Sequence, residues 1–126
     1  MARDPRPRNL DLSTVHFPVP AVLSILHRGS GLLLVLAIPW LAWLLERSVS
    51  GPAGFRAVVD HLDSAPARVV LVLLAWALAH HLFAGIRYLL IDVDIGVDRP
   101  RARASAWLVN AAGVAVGLLA VARWWL

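Results

Sequence analysis

Val69-Val-Leu-Val-Leu-Leu-Ala-Trp-Ala-Leu-Ala-His80-His81-Leu-Phe-Ala-Gly85-Ile86 is an apolar run of 18 residues closed at both ends by arginine, Arg68 and Arg87. At 1.5 Å per residue a helix of that length spans about 27 Å, close to the ~30 Å hydrocarbon thickness of a bilayer. Its strongly polar members are His80 and His81, two imidazoles where a membrane helix has no ordinary use for them. Two further runs lie outward from it. Gly29–Leu45 holds 17 uncharged residues, and Ala104–Ala122 holds 19 between Arg103 and Arg123, with Ser105 and Asn110 as its polar members. Three such runs predict an all-α integral membrane protein, its three transmembrane helices forming part of a helix bundle. The expected spans are about 20–47, 68–91 and 104–125, preceded by a polar tail over 1–19.

The composition narrows the chemistry. Of 126 residues, 60% are hydrophobic, against roughly 45–50% in ordinary soluble domains. Tail and loops leave no room for a nucleotide-binding domain, and no glycine-rich phosphate cradle is present. With no cysteine in the chain, disulfides, zinc–thiolate sites and cysteine-ligated iron–sulfur clusters are excluded from this subunit, whereas a haem held by histidine is not. All 12 basic residues are arginine, giving a net charge of +4 against 8 acidic residues. They bracket the apolar runs, so their reading is membrane flank and bilayer contact, not nucleic acid. Eight lie on the side of the N-terminus (Arg3, Arg6, Arg8, Arg28, Arg87, Arg99, Arg101, Arg103) and four on the other (Arg47, Arg56, Arg68, Arg123), which favours a cytoplasmic N-terminus. The tail Met1–Pro20 lacks the apolar core of a secretory signal and reads as an ordered segment on the membrane surface. Between the first two runs, a short amphipathic stretch near Phe55–Leu62 reads as an interfacial helix, with His61 expected to be solvated.

Two polar stripes interrupt this apolar pattern. Ser24, His27, Arg28 and Gly31 follow the i, i+3, i+4, i+7 spacing of one helix face. A hydroxyl and a guanidinium there can donate to a carbonyl or carboxylate oxygen, with a glycine leaving space beside them; an interfacial anchor with Arg28 reaching lipid phosphate is the other reading. His81, Ala84, Gly85, Tyr88 and Asp92 form the second stripe. Neutral imidazole is a standard axial ligand of haem iron, and glycine one turn on admits a flat group; a hydrogen-bonded interhelical histidine is the alternative. His80 points about 100° away around the same helix and cannot share that ligand geometry. A second axial histidine would therefore come from a partner. Gly113 and Gly117 form a G-x-x-x-G, readable as close helix packing or as composition alone.

Arg6-Pro7-Arg8-Asn9-Leu10-Asp11-Leu12 followed by Ser24-Ile25-Leu26-His27-Arg28-Gly29-Ser30-Gly31 resembles the amino-terminal signature of the cytochrome b membrane-anchor subunit of succinate dehydrogenase, respiratory complex II. His81-Leu82-Phe83-Ala84-Gly85-Ile86-Arg87, with Asp92 beyond it, resembles that family's second signature. The resemblance covers nearly the whole chain. It implies that His81 is the axial ligand of a haem b shared with a second membrane-anchor subunit, that Ser24 and Arg28 line the ubiquinone site beside the iron–sulfur subunit, and that His27 and Arg28 lie near the haem propionates. It also implies a flavoprotein subunit that oxidises succinate; the expected location, a bacterial inner membrane, fits the bare N-terminus. The sequence departs from the family pattern at Tyr88, where histidine is usual. A fumarate reductase anchor running the reaction in reverse and a haem-free structural anchor remain the alternatives at this point.

Overall fold

The structure is a computed structural model that describes residues 16–125; the signature over Arg6–Leu12 lies outside them. It folds as α1 (Val19–Val49), α2 (Pro52–Asp63), α3 (Ala65–Asp92) and α4 (Arg99–Trp125). α1, α3 and α4 are long and apolar enough to cross a membrane, and no strand occurs among the described residues. α3, with 28 residues, extends about 42 Å. It therefore overreaches the ~30 Å hydrocarbon layer and carries its ends into the interface.

Each helix begins and ends where the local chemistry allows. α1 starts with Pro20 in its first turn, where a missing N–H costs nothing. It stays helical through Pro39, as membrane helices can when the freed carbonyl finds other partners. The corner into α2 is made by Gly51 at φ 118° and ψ 179°, a conformation essentially reserved for glycine. Ser64 caps α3, its Oγ accepting the Ala67 amide at 3.4 Å. α3 ends with Asp94 in the left-handed region, φ 62°. There the amide of Asp94 donates to the Ile91 carbonyl and that of Ile95 to the Leu90 carbonyl, both at 2.9 Å, the paired closure of a Schellman motif. Asp98 caps α4 by accepting the Arg101 amide at 3.0 Å, and Pro100 follows in the first turn.

The observed helices run beyond the expected spans at 19–49, 65–92 and 99–125, because capping residues and proline-started turns lie in the polar flanks. A helix is present over the stretch near Phe55–Leu62, as α2. His61 departs from its expectation of free solvation: its Nε2 accepts the Trp40 indole N–H at 3.3 Å, and its ring meets Trp43 edge-on at 5.3 Å. α2 is thereby pinned to α1.

Packing is closest toward the end of the bundle where α1 and α4 begin and α3 finishes. Leu23, Ala84, Ala106 and Val109 are buried there, with Val19, Phe83 and Tyr88 against them. Alanine at two of those crossings lets helices approach closely, as membrane packing favours. On α4, Gly113 and Gly117 do the same: an added Cβ would stand 3.1 Å from His80 Cβ and 3.4 Å from Trp76 Cβ. Leu36, Leu82, Leu108 and Leu119 point outward, surfaces suited to acyl chains or to other apolar helices.

Candidate functional site

The two polar stripes meet between α1 and α3. The rings of His27 and His81 stack with centroids 4.2 Å apart and planes at 20°, and Tyr88 lies 5.3 Å from His27. His81 Nδ1 is 3.1 Å from the His27 carbonyl oxygen and 3.4 Å from Ser30 Oγ, while the Ser30 hydroxyl donates to the same carbonyl at 2.8 Å. A carbonyl oxygen only accepts, so Nδ1 carries the hydrogen and donates it. The lone pair of the neutral ring is then left on Nε2, the tautomer expected of a metal-ligating histidine whose other nitrogen donates to a backbone carbonyl.

Glycines make this approach possible. A Cβ on Gly31 would lie 2.9 Å from His81 Cε1, so position 31 must be glycine for the ring to stand where it does. Gly85 faces His27, its added Cβ reaching Nε2 at 4.0 Å. That His27 Nε2 is buried and has no hydrogen-bond partner, a polar atom in want of one. An unshared Nε2 on His81 and an orphaned polar atom on His27 fit a group that would offer iron to one imidazole and a polar edge to the other, as haem would.

The first stripe divides. His27 and Gly31 turn inward to α3, whereas Arg28 turns outward with Ser24, its Nη2 donating to Ser24 Oγ at 3.2 Å. The hydroxyl hydrogen of Ser24 is not consumed by that contact and remains available to a ligand oxygen. His27 and Arg28, expected together, therefore lie on opposite edges of the stripe. In the second stripe, Ala84 is fully buried, Tyr88 packs over His27, and Asp92 is exposed at the end of α3.

Ser30, fully buried, had no role in the sequence reading. It lies off the Ser24–Gly31 stripe, and its only signal in the sequence is that of a hydroxyl three residues past a histidine. His80 is also fully buried and faces α4, its Nε2 3.0 Å from Asn110 Oδ1. Arg87 reaches α4 as well, donating from Nε to Ser105 Oγ at 2.9 Å and from Nη2 to the Ala102 carbonyl at 3.0 Å. The adjacent histidines thus serve different neighbours.

The family model described as succinate dehydrogenase/fumarate reductase transmembrane subunit matches residues 2–120. A succinate dehydrogenase cytochrome b556 subunit from Coxiella burnetii is 38% identical over 105 residues, covering 82% of this chain and 84% of the relative. The protein of the same name from Paracoccus denitrificans is 31% identical over 117 residues, 93% and 90% of the two chains. That from Rickettsia felis is 28% identical over 114 residues, covering 90% and 89%. These names favour the succinate dehydrogenase assignment over a fumarate reductase anchor. With three helices able to cross a membrane and a family match along almost its whole length, the chain belongs to the family of succinate dehydrogenase cytochrome b membrane-anchor subunits.

Proposed function

We propose that this chain holds one face of a haem b through His81 and supplies Ser24 and Arg28 to a ubiquinone-reducing site, within a complex that includes a second membrane-anchor subunit, an iron–sulfur subunit and a flavoprotein in a bacterial inner membrane. The observation that carries the haem assignment is the hydrogen bond from His81 Nδ1 to the His27 carbonyl, which leaves the lone pair on Nε2 unshared. The name cytochrome b556 carried by the relatives supports the same cofactor. A haem bound here supplies one-electron storage within the membrane. His27 and Arg28 are placed for its propionates by the resemblance; in this structure the orphaned Nε2 of His27 supports its part and the outward turn of Arg28 favours the quinone.

At the quinone site, reduction to quinol takes up two electrons and two protons. Negative charge grows on the quinone oxygens as electrons arrive, and a guanidinium held in place beside a hydroxyl stabilises it without reorganising. Arg28 provides the charge. Ser24, its Oγ already accepting from Arg28, has its hydroxyl hydrogen free to donate to the quinone carbonyl. A hydrogen bond to a charged group contributes about 1.5–3 kcal/mol, so Ser24→Ala should lower quinone reduction by roughly ten- to a hundredfold. Succinate oxidation by an artificial acceptor should stay at the wild-type rate. Equal loss of both activities would reject the assignment. For the haem, His81→Leu should abolish or shift the b-type band in dithionite-reduced minus oxidised spectra of membranes carrying the assembled complex. An unchanged band would place the iron elsewhere.

A further inference from the structure

His80 takes no part in the function proposed above, yet it is fully buried at membrane depth and bonded to Asn110 on α4. Its backbone is gripped as well as its ring. The Gly113 position allows no side chain without pressing on His80, an added Cβ standing 3.1 Å from its Cβ and 3.2 Å from its Cδ2. One turn back on α3, Trp76 tilts against the His80 ring at 5.6 Å and packs on Gly117. Seven residues on, at the same helical phase, Arg87 makes its two bonds to α4. α3 is therefore keyed to α4 along one line at two heights, two turns apart.

We infer that the His80–Asn110 pair is a positioning device that fixes the rotation of α3 about its own axis and thereby aims His81. This rests on His81 being the haem ligand. Adjacent residues on a helix are separated by a fixed 100°, so whatever clamps His80 against α4 also fixes His81 toward α1. A ligand must be held to within about 0.5 Å and 10–20° of its productive geometry. At roughly 6 Å from the helix axis, a 20° rotation moves a ring by about 2 Å, well outside that tolerance. The contacts of His81 all lie on α1 and hold the ring to that helix, so resistance to a rotation of α3 against α4 has to come from contacts made on α4. A polar pair in hydrocarbon resists it strongly, since breaking it leaves two unpaired groups without water.

The test is made in membranes carrying the whole complex, with Asn110→Leu, Gly113→Ala, His80→Leu and His80→Gln beside wild type and His81→Leu. The readouts are assembled complex per membrane protein, the position and width of the reduced haem α-band, the haem midpoint potential, and the rate of haem loss to apomyoglobin. Asn110→Leu and His80→Leu should assemble with a shifted or broadened band, a changed potential and haem loss faster by about tenfold, the lower end of the effect of removing a partner behind a metal ligand. His80→Gln, whose amide can donate from nearly the same point, should restore wild-type values. Gly113→Ala removes no polar group and should still shift the band by displacing His80. Wild-type spectra, potential and haem retention in assembled Asn110→Leu or Gly113→Ala would overturn the inference, as would equal effects of His80→Leu and His80→Gln. Failure of both Asn110→Leu and Gly113→Ala to assemble would overturn it in favour of a folding role. An unchanged band in His81→Leu would instead reject the ligand assignment beneath it.

Discussion

At the residue scale, the aim of one imidazole depends on the lack of a methyl group opposite it. Gly29 and Gly31 lie two apart on α1, yet only the second faces α3: nothing lies within 4 Å of a Cβ added at 29, whereas one at 31 would meet His81 Cε1 at 2.9 Å. The ring cannot simply lean away, because its Nδ1 is held by the His27 carbonyl and its face by the His27 ring. Gly31→Ala therefore has to break that hydrogen bond or part the helices, and a buried donor left without its acceptor costs about 1–3 kcal/mol. The expected result is a b-type band weakened or shifted in Gly31→Ala and unchanged in Gly29→Ala, read in reduced minus oxidised spectra of the assembled complex. Identical spectra for the two variants would mean that the close approach at position 31 has no bearing on the haem. The stripe Ser24, His27, Arg28, Gly31 was legible as a polar face, but not its division, because helical phase alone does not say which neighbour occupies which edge. Ser30 went unread for the same reason.

At the element scale, the three apolar runs disclosed the three long helices, since hydropathy over about 20 residues reports the same burial that the bilayer imposes. Their ends were less legible: Ser64 and Asp98 extend α3 and α4 into polar sequence by capping, a local effect that hydropathy does not sense. The contact that His61 makes is not legible locally, because its partner Trp40 stands 21 residues earlier on another helix. The turn from α3 to α4 offers a test of such local chemistry. Asp94 sits at φ 62° in the position that glycine usually fills, and a left-handed residue with a branched Cβ costs roughly 1–2 kcal/mol. Asp94→Val should lower the thermal stability of the detergent-solubilised complex, while Asp94→Gly should leave it unchanged or raise it. Both can be followed by loss of monodispersity on heating, and a Val variant as stable as wild type would show that the turn is not under this constraint.

At the scale of the whole molecule, two separate considerations assign the same side of the membrane to the same end of the bundle. In the orientation proposed from the arginine distribution, eight against four, the start of α1, the end of α3 and the start of α4 face the cytoplasm. Ser24, Arg28 and the His27–His81 stack lie at that end, which is where the proposed quinone site would meet electrons from the proposed water-soluble iron–sulfur subunit. The other end is closed by α2 and by Arg68, which bonds Asp63 at 3.2 Å and the Trp124 carbonyl at 3.3 Å, tying the last turn of α4 to the first of α3. Because the chain has no cysteine, a single introduced thiol is a unique topology probe. Ala53→Cys at the exposed start of α2 and Val97→Cys in the α3–α4 turn sit at opposite ends. In spheroplasts, a membrane-impermeant maleimide should label Ala53→Cys directly and Val97→Cys only after permeabilisation, with labelling in denaturant confirming that both thiols are reactive. The reverse pattern would invert the chain, set the Ser24–Arg28 pair on the side away from the cytoplasm, and remove the physical route by which that pair could meet electrons from a cytoplasmic partner.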